Sequence, residues 1–147
     1  TEGGLEVARE ENHLAHFLAP LRDAGCRVSI FLAADRRQIE AAHRIGAPVI
    51  ALHTGAYCEH DLAGDTAARA AELARLTEVA TFAASLGLDG HAGHGLTFDN
   101  VGPVAALPEV RERNIGHFLV GEAIFIGLEQ AIRQMRTAMD AARAAIS

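Results

Sequence analysis

Runs of basic residues, long apolar stretches and paired cysteines are all missing from these 147 residues, and each absence removes a class of function. The formal net charge is −6, and acids and bases are interspersed along the helical stretches, which argues against a nucleic-acid partner. No stretch approaches the ~20 apolar residues needed to cross a bilayer, so no membrane partner is expected. No opening segment combines a basic end with an apolar run, as a secretory signal would. Cys26 and Cys58 are the only two cysteines and form no Cys-x-x-Cys pair. They read as free thiols of a reducing cytosol, and a cytoplasmic location is expected. There is no Gly-x-Ser-x-Gly nucleophile elbow and no Walker-type loop. No low-complexity segment or Ser/Pro linker divides the chain, and its units are too uneven for a solenoid.

What is present is apolar and alternating. Half the residues are hydrophobic, a level that suits strands buried on both faces beneath packed helices. Val7, Leu14, Phe17, Leu18 and Leu21 recur at helical spacing, predicting a helix over 5–24 that is closed by Gly25. A β-rich run follows over 26–32, and Asp35 is placed to cap a helix running to Ile45, closed by Gly46. A buried strand over 47–53 is broken by Thr54-Gly55. A long helix is predicted from Asp65-Thr66 to about Leu86, then a weaker strand over 88–93. A short helical piece spans 99–107, a fourth strand 114–120, and a final amphipathic helix 121–146. The order is helix, then β-α-β-α-β-α-β-α.

Strands joined by crossover helices are expected to be parallel, giving an α/β fold. A closed eight-stranded barrel takes ~250 residues, so a chain of this length holds about half of one. The outer strands of an isolated half would expose unpaired backbone groups, so a missing half or a partner chain is expected to complete it. The chain opens on Thr1-Glu2-Gly3-Gly4 rather than on Met, which reads as a start within a longer protein.

Parallel α/β folds bind ligands at the carboxyl ends of their strands. That selects Leu32-Ala33-Ala34-Asp35, His53-Thr54-Gly55, Gly93-His94-Gly95 and Gly116-His117, three of which join histidine to glycine. Glycine permits sharp turns and close approach of a ligand to the main chain. Backbone N–H groups at such turns bind anions, and barrels often place a phosphate after their last two strands. Imidazoles titrate near neutrality, with a reference value of about 6.5, and can exchange protons beside a bound phosphate.

Each feature has a plainer reading. Gly93 and Gly95 make a tight turn as readily as a phosphate contact. Gly116 reads equally as a point of close packing, His117 as a core histidine, and His53 as a local hydrogen-bond partner of Thr54. His13, His16, His43 and His60 lie on helices or loops and read as solvated. His91 and His94, with His53 and His117, could be metal ligands. Residues three apart in a regular strand point oppositely, however, and no carboxylate joins the motif, so a metal ranks well below a phosphate.

Thr1-Glu2-Gly3-Gly4-Leu5, Val28-Ser29-Ile30-Phe31, Leu52-His53-Thr54-Gly55, the segment 80–88, Ala92-Gly93-His94-Gly95-Leu96 and Asn114-Ile115-Gly116-His117 together resemble the pyridoxine 5′-phosphate synthase family, in order and over the whole chain. The resemblance implies a TIM (β/α)8 barrel, with residues 1–147 as the C-terminal half of a single barrel domain, supplying roughly its last four β/α units. It implies a transferase-type, ring-forming condensation of vitamin B6 biosynthesis. In it, 3-amino-2-oxopropyl phosphate and 1-deoxy-D-xylulose 5-phosphate give pyridoxine 5′-phosphate, inorganic phosphate and water, with no metal and no organic cofactor.

By the same resemblance His94 is the catalytic proton donor or acceptor, Gly95 contacts the aminoketone phosphate, and Gly116 and His117 contact it again. The partners implied are small phosphorylated substrates and further copies of the chain in a homo-oligomer. Schiff-base formation, loss of water and ring closure all need protons moved near neutral pH.

The family's other catalytic histidine, its catalytic glutamate and several binding residues fall in the half that lies outside this chain. Ala51 stands where members usually carry a glutamate that stabilises a transition state. His91 stands where they usually have Asn, and Gly90 where they have an apolar residue. The bare chain is therefore expected to be inactive or nearly so. A non-catalytic phosphate-binding half-barrel, or a decayed enzyme, is the alternative, with a metal-dependent hydrolase of the same fold class behind it.

Overall fold

The computed structural model describes residues 3–146. Thr1 and Glu2 of the opening motif lie outside that range. Four strands, β1 (Ser29–Leu32), β2 (Val49–His53), β3 (Asp89–Gly93) and β4 (Val110–Asn114), form one sheet in the order β1-β2-β3-β4. Every neighbouring pair is parallel. The expected α/β alternation is present, and the strand order never reverses. Each crossover therefore moves one strand onward in the same direction, and right-handed crossovers of that kind put their helices on one face.

Membership of the apolar core separates the two faces. Ile30, Leu32, Ile50, Leu52 and Ala92 are buried in the apolar core. Phe31, Ala51 and His53, which alternate with them, are only half-buried on the other face. The core face packs against α2 (Arg36–Arg44), through Ile39, Ala41 and Ala42, and α4 (Thr66–Ser85), through Leu76, Val79, Ala80 and Ala83. Both helices start on carboxylate caps. Asp35 accepts from the Arg37 N–H at 2.7 Å, and Asp65 from the Ala68 N–H at 3.0 Å. Such caps contribute about 1 kcal/mol each.

The first helix, α1 (Glu11–Asp23), starts six residues later than its periodicity suggested. Leu5 is instead tied to β1, its N–H donating to the Phe31 carbonyl at 2.8 Å. Gly4 makes this possible, since a Cβ there would lie 2.4 Å from the Leu32 main chain. A helix that the sequence reading missed, α3 (Gly55–Leu62), starts directly on the Thr54-Gly55 turn. The short helical piece shrinks to α5 (Val101–Ala105).

The largest correction concerns the fourth strand. It is 110–114 and not 114–120, and the apolar run after it belongs to α6 (His117–Ile126). The strand is polar because its outer side chains face away from the core, while Arg113 turns inward and donates to the Ala105 carbonyl at 2.5 Å. The single final helix is two, α6 and α7 (Leu128–Ala144), separated by Gly127 at φ +84°. No described helix is long and apolar enough to cross a membrane.

Candidate functional site at the ends of the third and fourth strands

β3 ends on Gly93 and turns through His94 and Gly95. Gly93 lies so close to β4 that a Cβ would fall 2.6 Å from the Asn114 carbonyl oxygen. His94 then adopts φ +84°, the only positive φ of a non-glycine among the described residues. A side chain in that region costs ~1–2 kcal/mol and persists only where its surroundings enforce it. Thr54 does the enforcing. Its N–H donates to the Gly93 carbonyl at 2.9 Å. Its buried hydroxyl lies 2.7 Å from that same oxygen and 2.6 Å from the His94 oxygen. The Cys58 thiol approaches the His94 carbonyl at 3.6 Å. Gly95, at φ +81°, has no room for a Cβ, which would sit 2.9 Å from Cys58 Cβ.

The hydroxyl of Thr54 thus serves the corner and not His53, as the sequence reading had allowed. His53 Nδ1 accepts instead from the Gly55 N–H at 3.3 Å. The His53 ring stacks on His94, with centroids 4.5 Å apart, and meets Phe31 edge-on at 5.2 Å. The exposed His94 imidazole is therefore supported from behind by a second histidine.

The other corner is the start of α6. Gly116 is its N-cap and supplies no side-chain cap, so the first-turn N–H groups gain no side-chain partner there. Such a terminus carries partial positive charge and favours an anion. A Cβ on Gly116 would meet nothing within 4 Å, which removes the close-packing reading. His117 is exposed, which removes the core-histidine reading.

The two corners share a cavity of about 700 Å³, lined by Phe31, Ala51, the 93–97 turn and the 114–118 segment. All four site residues expected from the sequence, His94, Gly95, Gly116 and His117, line it. No acidic side chain does. A second cavity of about 510 Å³ shares His94, Gly95, Thr97 and Phe118 with the first but is lined also by Glu59, Asp61 and Asp99, which would repel a phosphate. Burial, the largest cause, pushes the Cys58 thiol of that cavity up to about 11, helped by Asp61 and Glu59 and opposed by its hydrogen bond with Thr54. It remains protonated near neutrality and is no nucleophile.

His13, His16 and His43 are exposed on helices, as expected. The remaining candidate strand end, Leu32-Ala33-Ala34-Asp35 after β1, does not line the cavity, and Asp35 caps α2 instead. Among the described residues, no three His, Cys, Asp or Glu side chains gather as metal ligands would. Phe31, Asn114 and Thr97 line the cavity without being candidates from the sequence, and Thr54 stands at a selected strand end with only a local role. The signal for Phe31 and Asn114 is that both sit inside the quoted motifs near strand ends.

The family model of the pyridoxal phosphate biosynthesis protein PdxJ matches residues 1–141. The chain belongs to this family. It is 74% identical over 144 residues to the pyridoxine 5′-phosphate synthase of Roseobacter denitrificans, covering 98% of this chain and 58% of that one. It is 72% identical over 144 residues to the synthase of Ruegeria pomeroyi, with the same shares. The synthase of Rhodospirillum rubrum is 56% identical over 142 residues, with 97% of this chain and 56% of that one covered. This PdxJ-family chain therefore spans a little over half the length of the curated relatives it matches.

Proposed function

We propose that residues 1–147 are the C-terminal half of a (β/α)8 barrel and carry the aminoketone-phosphate side of a pyridoxine 5′-phosphate synthase site. The observation that carries this is the cavity, free of acidic side chains, that joins the strained His94-Gly95 turn to the uncapped start of α6, in a PdxJ-family chain. The phosphate of 3-amino-2-oxopropyl phosphate sits against the backbone N–H groups of Gly95, Gly116 and His117. Those groups need no net basic protein to hold an anion. His94, stacked on His53, stands beside the bound molecule and gives or takes the protons of condensation and ring closure with 1-deoxy-D-xylulose 5-phosphate. The serial strand order, with helices on one face, is what half of such a barrel requires.

Assembly with further copies is part of the same reading. Ile124 and Phe125 of α6 are 79% and 83% exposed, beside exposed Val120, Leu128 and Ile132. An apolar row of this kind is a contact surface more often than a water-facing one.

The test joins the chain to the N-terminal part of the Roseobacter denitrificans relative and measures pyridoxine 5′-phosphate formation from the two substrates. Product is expected, with a loss of 10²-fold or more in His94→Ala, the scale of a general acid–base group. A folded barrel that makes none refutes the catalytic reading. It leaves the second reading, a phosphate-binding half-barrel or decayed enzyme. Ala51 favours that one, since it puts only a methyl group on the cavity wall where the family carries a glutamate.

A further inference from the structure

One histidine on the outer sheet face takes no part in the two corners. His91 lies in β3, two residues before Gly93 and therefore on the same face. It is buried, with 7% of its surface exposed. A buried imidazole needs a polar partner. Its Nδ1 stands 3.4 Å from Glu112 Oε1 on β4.

The strand register produces that pairing. Gly90 pairs with Val110, so a regular ladder would set His91 opposite Arg111. The register shifts between Gly90 and His91, and His91 pairs with Glu112 instead. One extra residue on β4 thus exchanges a guanidinium for a carboxylate. Irregularities of this kind re-aim side chains and are enriched beside functional sites. Asp89, the next carboxylate along the same face of β3, is already paired to Arg27 and Arg111.

His91 does not line the cavity itself, but its neighbours do. Ala51, opposite His91 on β2, and Gly93, next along β3, both line the cavity. Neither carries more than a methyl group.

We propose that His91 and Glu112 form a second acid–base pair beneath this cavity, acting on the carbonyl end of a small phosphorylated ketone. This rests on the phosphate-binding reading above, since the corners hold the other end. The carboxylate holds the ring proton on Nδ1 and leaves the Nε2 lone pair to accept one. In the step assigned, a C–H bond beside the ligand carbonyl breaks and its electron pair moves into the carbonyl system as an enolate. The proton passes to Nε2, and the imidazolium charge faces Glu112. In reverse, the same proton returns to the ligand, so the pair is restored unchanged.

Histidine-ring ¹⁵N–¹H spectra of the 147-residue chain test this, with inorganic phosphate and dihydroxyacetone phosphate as probes. The expected results are a proton held on His91 Nδ1, loss of that preference in Glu112→Leu, and His91 ring shifts with dihydroxyacetone phosphate but not with phosphate. Both probes are expected to move the Gly95 and Gly116 amides. A proton on Nε2 in the parent chain overturns the pair, and that readout stands whether or not Glu112→Leu folds. Movement of the corner amides by the ketone without movement of His91 overturns the inference alone. Corner amides unmoved by either probe overturn the phosphate reading and the inference with it.

Discussion

Replacing Thr54 by valine isolates the hydroxyl that shapes the β3 corner. Valine keeps the shape and removes the donor. The hydroxyl is 2.7 Å from the Gly93 oxygen and 2.6 Å from the His94 oxygen, at a residue 1% exposed. Its one proton is shared between them. After substitution Gly93 retains the residue-54 N–H at 2.9 Å, but His94 retains only the Cys58 thiol at 3.6 Å, a weak donor. The loss is one hydrogen bond plus one under-satisfied carbonyl, about 2 kcal/mol with a ceiling of about 3. The positive φ of His94, worth ~1–2 kcal/mol, is then opposed by less, and the ring is expected to leave the cavity mouth. Urea unfolding followed by circular dichroism measures the first effect, and phosphate titration by calorimetry the second. Thr54→Ser keeps the hydroxyl, so it should lose only the methyl contribution of about 1 kcal/mol and retain phosphate binding. A valine variant within about 0.5 kcal/mol of the parent, or a serine variant as damaged as valine, would refute the reasoning.

Two glycines of the site should separate cleanly. Gly95→Ala meets both a positive φ and the Cys58 side chain, and is expected to cost about 3 kcal/mol in urea unfolding. Gly116→Ala, at φ −108° with open space around it, should cost less than about 1 kcal/mol while weakening phosphate binding several-fold. Cys26 is exposed and should be alkylated by iodoacetamide near pH 8, while Cys58 should resist until the chain is unfolded. Because the folded-state Cys58 value is raised, its protonated form is the one that folding favours. Its contribution is therefore complete below the unfolded value of about 8.5 and is lost as pH rises toward about 11, which urea midpoints between pH 8 and 11 would follow. Arg143→Met should destabilise by about 2 kcal/mol, because that guanidinium donates to the carbonyls of Ala105 at 3.2 Å and Leu107 at 2.6 Å, which no methionine can serve.

The elements that could be read from the sequence are those whose signals are local. Asp35 and Asp65 mark helix starts because a carboxylate cap acts within three residues, and Gly25, Gly46 and Gly87 mark ends because each adopts a positive φ there. The start of α1 was misjudged because the apolar spacing from Leu5 onward also fits a segment that hydrogen-bonds to β1, a contact 26 residues away. The role of Thr54 escapes sequence reading for a similar reason. Its hydroxyl acts 39 and 40 residues along the chain, on a corner that only the β2–β3 pairing brings beside it. The pairing of His91 with Glu112 depends on a register shift between strands, which no pattern within either strand reveals.

The fourth strand departs furthest from its sequence pattern, yet the glycine–histidine step after it is legible in the sequence. Apolar content pointed to 114–120 as the strand, and burial logic would then have put Gly116 and His117 inside the sheet. The structure places them one step later, where the chain turns from β4 into α6. A strand with Glu112 and Asn114 on the cavity face and Arg113 bonded to α5 cannot look like a buried strand. Its polarity follows from what it faces. Conversely, α6 is apolar apart from His117 and Glu122 yet has no fully buried residue, so its composition reports an uncovered surface and not a place in the core. The glycine–histidine step survived the misreading because it depends on where the chain must turn and bare its N–H groups, not on which side of the turn is strand. The Gly116→Ala comparison tests that property directly, since it leaves the fold alone and alters only the room beside the exposed amides.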